Sequence, residues 1–163
     1  MIAPQPKPAF KYITPSGVYV GTYTNCSGVL VYDSTEDALV LDIDMTGDAA
    51  GSKIEFLCQL PADFLKFAGG SDDVAVRAIQ DAVAASLDIT LTIDVLDASG
   101  ADADDDTVDG TALTGSYATY DCAITGGTFS AGDFITIRLT LPATTASGDG
   151  CRIGFPKIKY VPN

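Results

Sequence analysis

The densest group of side chains able to do chemistry is the run Asp102-Ala103-Asp104-Asp105-Asp106-Thr107-Val108-Asp109-Gly110. Carboxylates this close are hard oxygen ligands of the kind that suit Ca²⁺. Asp102, Asp104 and Asp106 reproduce the opening spacing of an EF-hand loop. The pattern then fails: Leu113 stands where the bidentate glutamate belongs, and the centre of the loop, 105–107, has no glycine. The expectation is a solvated acidic loop and no metal site, with Asp102, Asp104 and Asp106 as the weak candidates. Two carboxylate pairs, Asp42 with Asp44 and Asp88 with Asp94, are of the type that hydrolyses glycosides. Their spacing, however, puts them on the polar faces of alternating strands, where Asp is an outward residue. Sugar rings could stack on Tyr19, Tyr23, Tyr32, Tyr117 or Tyr120, since the chain has no Trp. There is no histidine, no Gly-x-Ser-x-Gly elbow and no phosphate loop. The expectation is a protein that is not an enzyme and carries no cofactor.

Four cysteines, Cys26, Cys58, Cys122 and Cys151, show no Cys-x-x-Cys spacing. Three of them fall inside strand-like runs, so they are expected as buried thiols. The net charge is −13, and Glu occurs only at positions 36 and 55, so the acid is nearly all Asp. Asp favours turns over strands and helices, which fits strands joined by polar loops. The charge argues against nucleic acid as a partner, because phosphates would be repelled. No apolar run approaches the roughly 20 residues of a membrane helix, so no membrane partner is expected. Met1 to Pro8 has no apolar signal-peptide core, which points to synthesis in a cytoplasm.

Strands must position whatever site exists. Leu87, Ile89, Leu91, Ile93 and Val95 alternate with polar residues, as do Ile135, Ile137, Leu139 and Leu141. A period of two marks half-buried strands, and these two should share a core. Further strands are expected at 18–20, 29–32, 39–45, 54–60, 117–124 and 151–161, with Pro61 to Phe67 as a loop or single helical turn. Residues 74–87 suit a strand or, with Ser71-Asp72-Asp73 as its cap and Ala75, Ala78, Ala82 and Ala85 along it, a helix, and the neighbouring strands favour the strand. About eight strands at this spacing suggest an antiparallel two-sheet sandwich of jelly-roll type, an all-β fold with an extended N-terminal arm. The domain plan is an arm over 1–15 and one sandwich over 16–163. Pro4, Pro6, Pro8 and Pro15 stiffen the arm, which also carries Phe10, Tyr12, Ile13, Lys7 and Lys11 and no acid. Those five residues are the expected contacts with another subunit or a capsid surface.

Three segments carry a resemblance. They are Leu60-Pro61-Ala62-Asp63-Phe64; Leu87 to Asp97 with Ala98-Ser99-Gly100; and Ala131-Gly132-Asp133-Phe134-Ile135-Thr136-Ile137, closed by Arg152-Ile153-Gly154 and Ile158-Lys159-Tyr160. In this order they resemble the single jelly-roll domains of tailed-phage and other viral structural proteins, over roughly residues 38 to 161. The chain departs from the pattern at Phe155-Pro156, where a proline implies a bulge or an edge. The resemblance implies a virion component, foremost a head decoration or cement protein that works by subunit contacts. Its partners would be the major capsid protein or its own copies, as a homo-oligomer in the virion. The alternatives are a receptor- or carbohydrate-binding module of a tail fibre, and a sandwich domain of a non-viral surface layer.

Overall fold

Ile137 sits at the centre of the core and shows how it is made. It lies on β11 (Phe134–Leu141), opposite Phe56 of β5 (Ser52–Gln59) on one side and Val95 of β8 (Thr90–Leu96) on the other. All three side chains are fully buried, as are Ile135, Leu139, Leu91 and Ile93. Burial of an aliphatic side chain of this size stabilises by about 1.5–3 kcal/mol. The strict alternation of these strands therefore fixes which face points inward.

The computed structural model describes residues 10–20, 27–45, 52–82, 89–142 and 150–163. Among the described residues there is no helix, and all strand pairing is antiparallel. One sheet runs β2 (Gly17–Val20), β5, β11, β8, β9 (Thr111–Ala112). The facing sheet runs β1 (Lys11–Ile13), β13 (Lys157–Pro162), β7 (Val74–Ala82), β12 (Gly150–Gly154), β4 (Ala38–Asp44), β3 (Ser27–Asp33). To it β10 (Ala118–Cys122) adds on β7 and β6 (Phe64–Phe67) adds on β13. The two sheets enclose one apolar core, a sandwich of jelly-roll type. Cys58, Cys122 and Cys151 are buried in that core, and no disulfide joins them. Cys26 lies outside the described residues.

Several expectations change. Residues 64–67 form strand β6 rather than a loop or helical turn: they pair with β13 across a register shift, and Phe64 and Phe67, three apart, both pack inward, edge to face with one another. The strands at 18–20 and 29–32 lie in different sheets, β2 paired with β5 and β3 with β4. Within the expected arm, residues 11–13 form β1, which pairs with β13, and Ile13 is buried. At 74–82 the strand reading holds, and residues 83–87 lie outside the described residues. Asp88 and Lys7 also lie outside them.

The closing chain positions the site. Phe155-Pro156 interrupts it, leaving β12 before the break and β13 after it. Both pieces pair with β7 on one side. On the other side β4 pairs with β12 and β1 pairs with β13. A slot is left between the end of β1 and the start of β4, with the unpaired break as its floor. Phe155 turns inward there and packs edge to face on Phe56, with ring centroids 5.7 Å apart.

Candidate functional site

The outward face of the β1–β13–β7–β12–β4–β3 sheet carries a polar cluster that the alternation alone makes intelligible. Cys151 and Ile153 point into the core, so Arg152 points out, and its register partner on β4 is Asp42. Val76 and Ala78 point in, so Arg77 points out beside Gly154. A Cβ at position 154 would lie 3.3 Å from the Arg77 carbonyl oxygen, so glycine lets β7 and β12 approach closely. The β3–β4 turn folds onto this face and is clamped by the two arginines. Arg77 donates from Nε and Nη2 to the two Glu36 oxygens, at 2.9 and 2.7 Å, a bidentate pair. Its Nη1 reaches Thr119 Oγ1 at 3.3 Å, and its guanidinium lies 5.8 Å from the Tyr117 ring centroid. Arg152 Nη1 donates to Asp33 Oδ2 at 3.1 Å, and Tyr117 donates its hydroxyl proton to the same oxygen at 2.7 Å. Asp33 Oδ1 accepts the amides of Thr35 and Glu36, so this one buried carboxylate organises the turn.

The electrostatics follow from these bonds. The Tyr117 hydroxyl, with support from Thr35, Arg152 and Glu36, holds the Asp33 carboxyl down at about 2. The Arg77 guanidinium holds Glu36 below its ordinary range, with a smaller contribution from Lys157. Burial and the Asp33 carboxylate push the Tyr117 hydroxyl up.

Two depressions flank the clamped turn. The larger, about 440 Å³, is the slot between β1 and β4. Its lining includes apolar Pro15, Ala38, Leu39 and Phe155 and charged Glu36, Arg77 and Lys157. The smaller, about 260 Å³, lies over Asp42 and Arg152 beside Ser34 and Thr35. Beyond the slot, β1 presents Tyr12 outward, opposite Lys159 in register and 64% exposed. Phe10, 43% exposed, lies under the Lys159 ammonium, which is 4.7 Å from its ring centroid. The face thus offers an exposed aromatic ring, an apolar-walled slot and fixed hydrogen-bonding pairs in one line.

The sequence-derived candidates distribute unevenly on this structure. Tyr12 and Phe10 belong to the face, Ile13 to the core, and Lys11 pairs with Asp63. These contacts join residues 10–13 to their own sandwich. Tyr120 is buried, and Tyr32 shares by register the side of Leu39, opposite Asp42. Tyr23 and the side chain of Tyr19 lie outside the described residues. Asp102, Asp104 and Asp106 form no common ligand set. Asp102 Oδ1 accepts the Asp104 amide, and Asp104 accepts the amides of Asp106 and Val95 at 2.8 and 2.6 Å. Burial pushes the Asp104 carboxyl up to about 6. The group that does converge is Asp104, Asp105 and Cys122, with potential ligand atoms within 4.8 Å of one another. Both Asp104 oxygens are already committed to backbone amides, and Asp105 Oδ1 accepts from Ala123 and Thr107. The loop is also less exposed than expected, because Ala103 and Val108 are buried. Arg77, Arg152, Glu36 and Asp33 were not candidates from sequence. Their signal was available only as scarcity: nine Lys and Arg residues in 163, two of them outward on neighbouring strands.

Comparison with protein-family models gives no match, and comparison with curated proteins gives none. Solved structures do match. A carbohydrate-binding module, TmCBM27, described by its specific mannan recognition, is 9% identical at a TM-score of 0.51, over 92% of this chain and 95% of its own. The arabinose-bound α-L-arabinofuranosidase MgGH51 is 12% identical at a TM-score of 0.51, over 88% of this chain. This chain spans only 23% of that enzyme's length. The enzymatically active domain of tailspike protein 4 from bacteriophage CBA120 matches at a TM-score of 0.42 and 12% identity, over 94% of this chain and 19% of that one. At these identities the likeness is one of fold: this chain has the β-sandwich jelly roll that carbohydrate-binding modules share.

Proposed function

We propose that the chain is a carbohydrate-binding module whose ligand lies across the outward face of the β1–β13–β7–β12–β4–β3 sheet. The observation that carries this reading is the placement of exposed Tyr12 beside a slot lined by the bidentate Arg77–Glu36 pair. Sugar rings have an apolar C–H face and a hydroxyl rim. An aromatic platform takes the first, and planar charged pairs with spare donors and acceptors take the second. The sandwich shared with TmCBM27 supports the same reading.

The face is built for binding rather than cleavage. Glycoside hydrolysis needs a carboxylic acid that is still protonated near neutral pH. Asp33 and Glu36 are both held below their ordinary range by ion pairs and hydrogen bonds, so neither can serve as that acid. Nothing on this face favours capsid decoration over sugar binding.

Affinity electrophoresis against mannan, xylan, mixed-linkage glucan, arabinan and agarose tests the proposal. Retardation by at least one polysaccharide is expected, and Tyr12→Ala should weaken it about tenfold, the loss of one stacking contact of about 1–1.5 kcal/mol. Failure to bind any polysaccharide, neutral or acidic, or retardation unchanged by Tyr12→Ala, would contradict it.

A further inference from the structure

Resting on that reading, we infer that the sugar unit in the slot between β1 and β4 carries a carboxylate, so that the ligand is an acidic, uronate-containing glycan with Lys157 as the partner of its charge.

The two depressions differ in sign. The smaller one sets the Arg152 guanidinium against two carboxylates, Asp33 and Asp42, with Arg152 Nε 3.7 Å from Asp42 Oδ1. Its formal balance is one negative charge, which suits hydroxyl donors and disfavours an anion. The slot sets two cations, Arg77 and Lys157, against one carboxylate, Glu36. Its formal balance is one positive charge in a chain whose net charge is −13. Glu36 is fully engaged by Arg77 through both oxygens. Lys157 is exposed at the rim, and among the described residues no carboxylate lies within ion-pair distance of its ammonium. It is near enough to help keep Glu36 ionised, so its field reaches into the slot. The neighbouring Lys159 differs, because Asp72 holds it at 2.8 Å.

A neutral sugar can offer the Lys157 ammonium only hydroxyl acceptors, with no charge to pair it. A uronate seated with its C–H face on Pro15 and Ala38 can direct its carboxylate to that ammonium and to the spare donors of Arg77. The acidic body of the protein repels anions at long range. At about 0.15 M salt that repulsion is screened beyond roughly 8 Å, which leaves the local pair to decide. The inference also sets a direction: the acidic unit lies toward β13 and a neutral unit toward Asp42.

The test uses trimers of galacturonate, glucuronate and mannuronate, each beside its methyl ester, which keeps the skeleton and removes the charge. Calorimetry at about 0.15 M salt should show at least one acid bound about tenfold more tightly than its ester, the scale of one charge-assisted hydrogen bond. The ratio should fall toward one in Lys157→Ala and at about 1 M salt. Equal binding of acid and ester, or a preference that survives Lys157→Ala, overturns the inference. If neutral polysaccharides bind through Tyr12 while acids show no preference, this inference alone falls. If nothing in either panel binds, the saccharide reading falls with it.

Discussion

Removing one oxygen atom tests how the β3–β4 turn is fastened. In Tyr117→Phe the ring stays and no cavity forms, but Asp33 Oδ2 loses the hydroxyl that donates to it at 2.7 Å. A hydrogen bond to a charged group contributes about 1.5–3 kcal/mol net. Here Asp33 keeps Arg152 and two backbone amides, so the loss should lie at the lower end, about 1–2 kcal/mol at neutral pH. In a chain of this size that is a fall of roughly 2–8 °C in Tm. The pH dependence adds a second check. The folded-state pKa of Asp33, about 2, lies below its ordinary value of 3.8. The stability contributed by the ionised form is therefore complete above pH 3.8 and is lost as the pH falls through about 2. Because the Tyr117 hydroxyl is the leading cause of that depression, Tyr117→Phe should raise the Asp33 pKa toward its ordinary value. Its destabilisation should shrink as the pH approaches 2. Thermal melts from pH 2 to 7, with the Asp33 carboxyl followed by NMR, measure both. A change below about 0.3 kcal/mol at pH 7, with the Asp33 titration unmoved, would show that the turn is not held this way.

Two further predictions concern the frame of the site. Leu91→Ala should cost about 2–5 kcal/mol, because Leu91 is fully buried between the sheets, and denaturant unfolding showing less than about 1 kcal/mol would mean that the inward face is misassigned. Asp104 works in the opposite sense to Asp33: its folded pKa, about 6, lies above the ordinary 3.8, so its contribution is fully present below pH 3.8 and is lost as the pH rises to about 6. An NMR titration placing Asp104 at or below its ordinary value would refute that burial.

The sandwich was legible because β8 and β11 alternate without a break, and alternation of that quality leaves only one way to face a core. The break at Phe155-Pro156 was legible too, since proline cannot donate to a ladder. The slot was not, because it needs the knowledge that β1 and β4 share one side of the closing chain, a pairing between segments more than a hundred residues apart. Sequence separation also hid Asp33 with Arg152, 119 residues apart, and Glu36 with Arg77, 41 apart. Each residue looks like an ordinary outward charge until the turn folds over the face. Tyr12 was singled out from its exposed, acid-poor surroundings, but as a contact with another subunit. The structure gives it a place in the sheet, where its ring faces outward beside the slot. At Leu39 and Val40 the alternation misleads: Leu39 is 55% exposed and Val40 is buried.

The most direct test of sugar binding on this face is a two-dimensional NMR titration of the ¹⁵N-labelled chain with whichever oligosaccharide binds best. Perturbations are expected on one outward surface only: Tyr12 on β1, Arg77 on β7, Gly154 at the end of β12 and Lys157 on β13, with Asp42 at the far end for longer ligands. Perturbations centred on Glu55 and Arg138, which face outward on the opposite sheet, would contradict it.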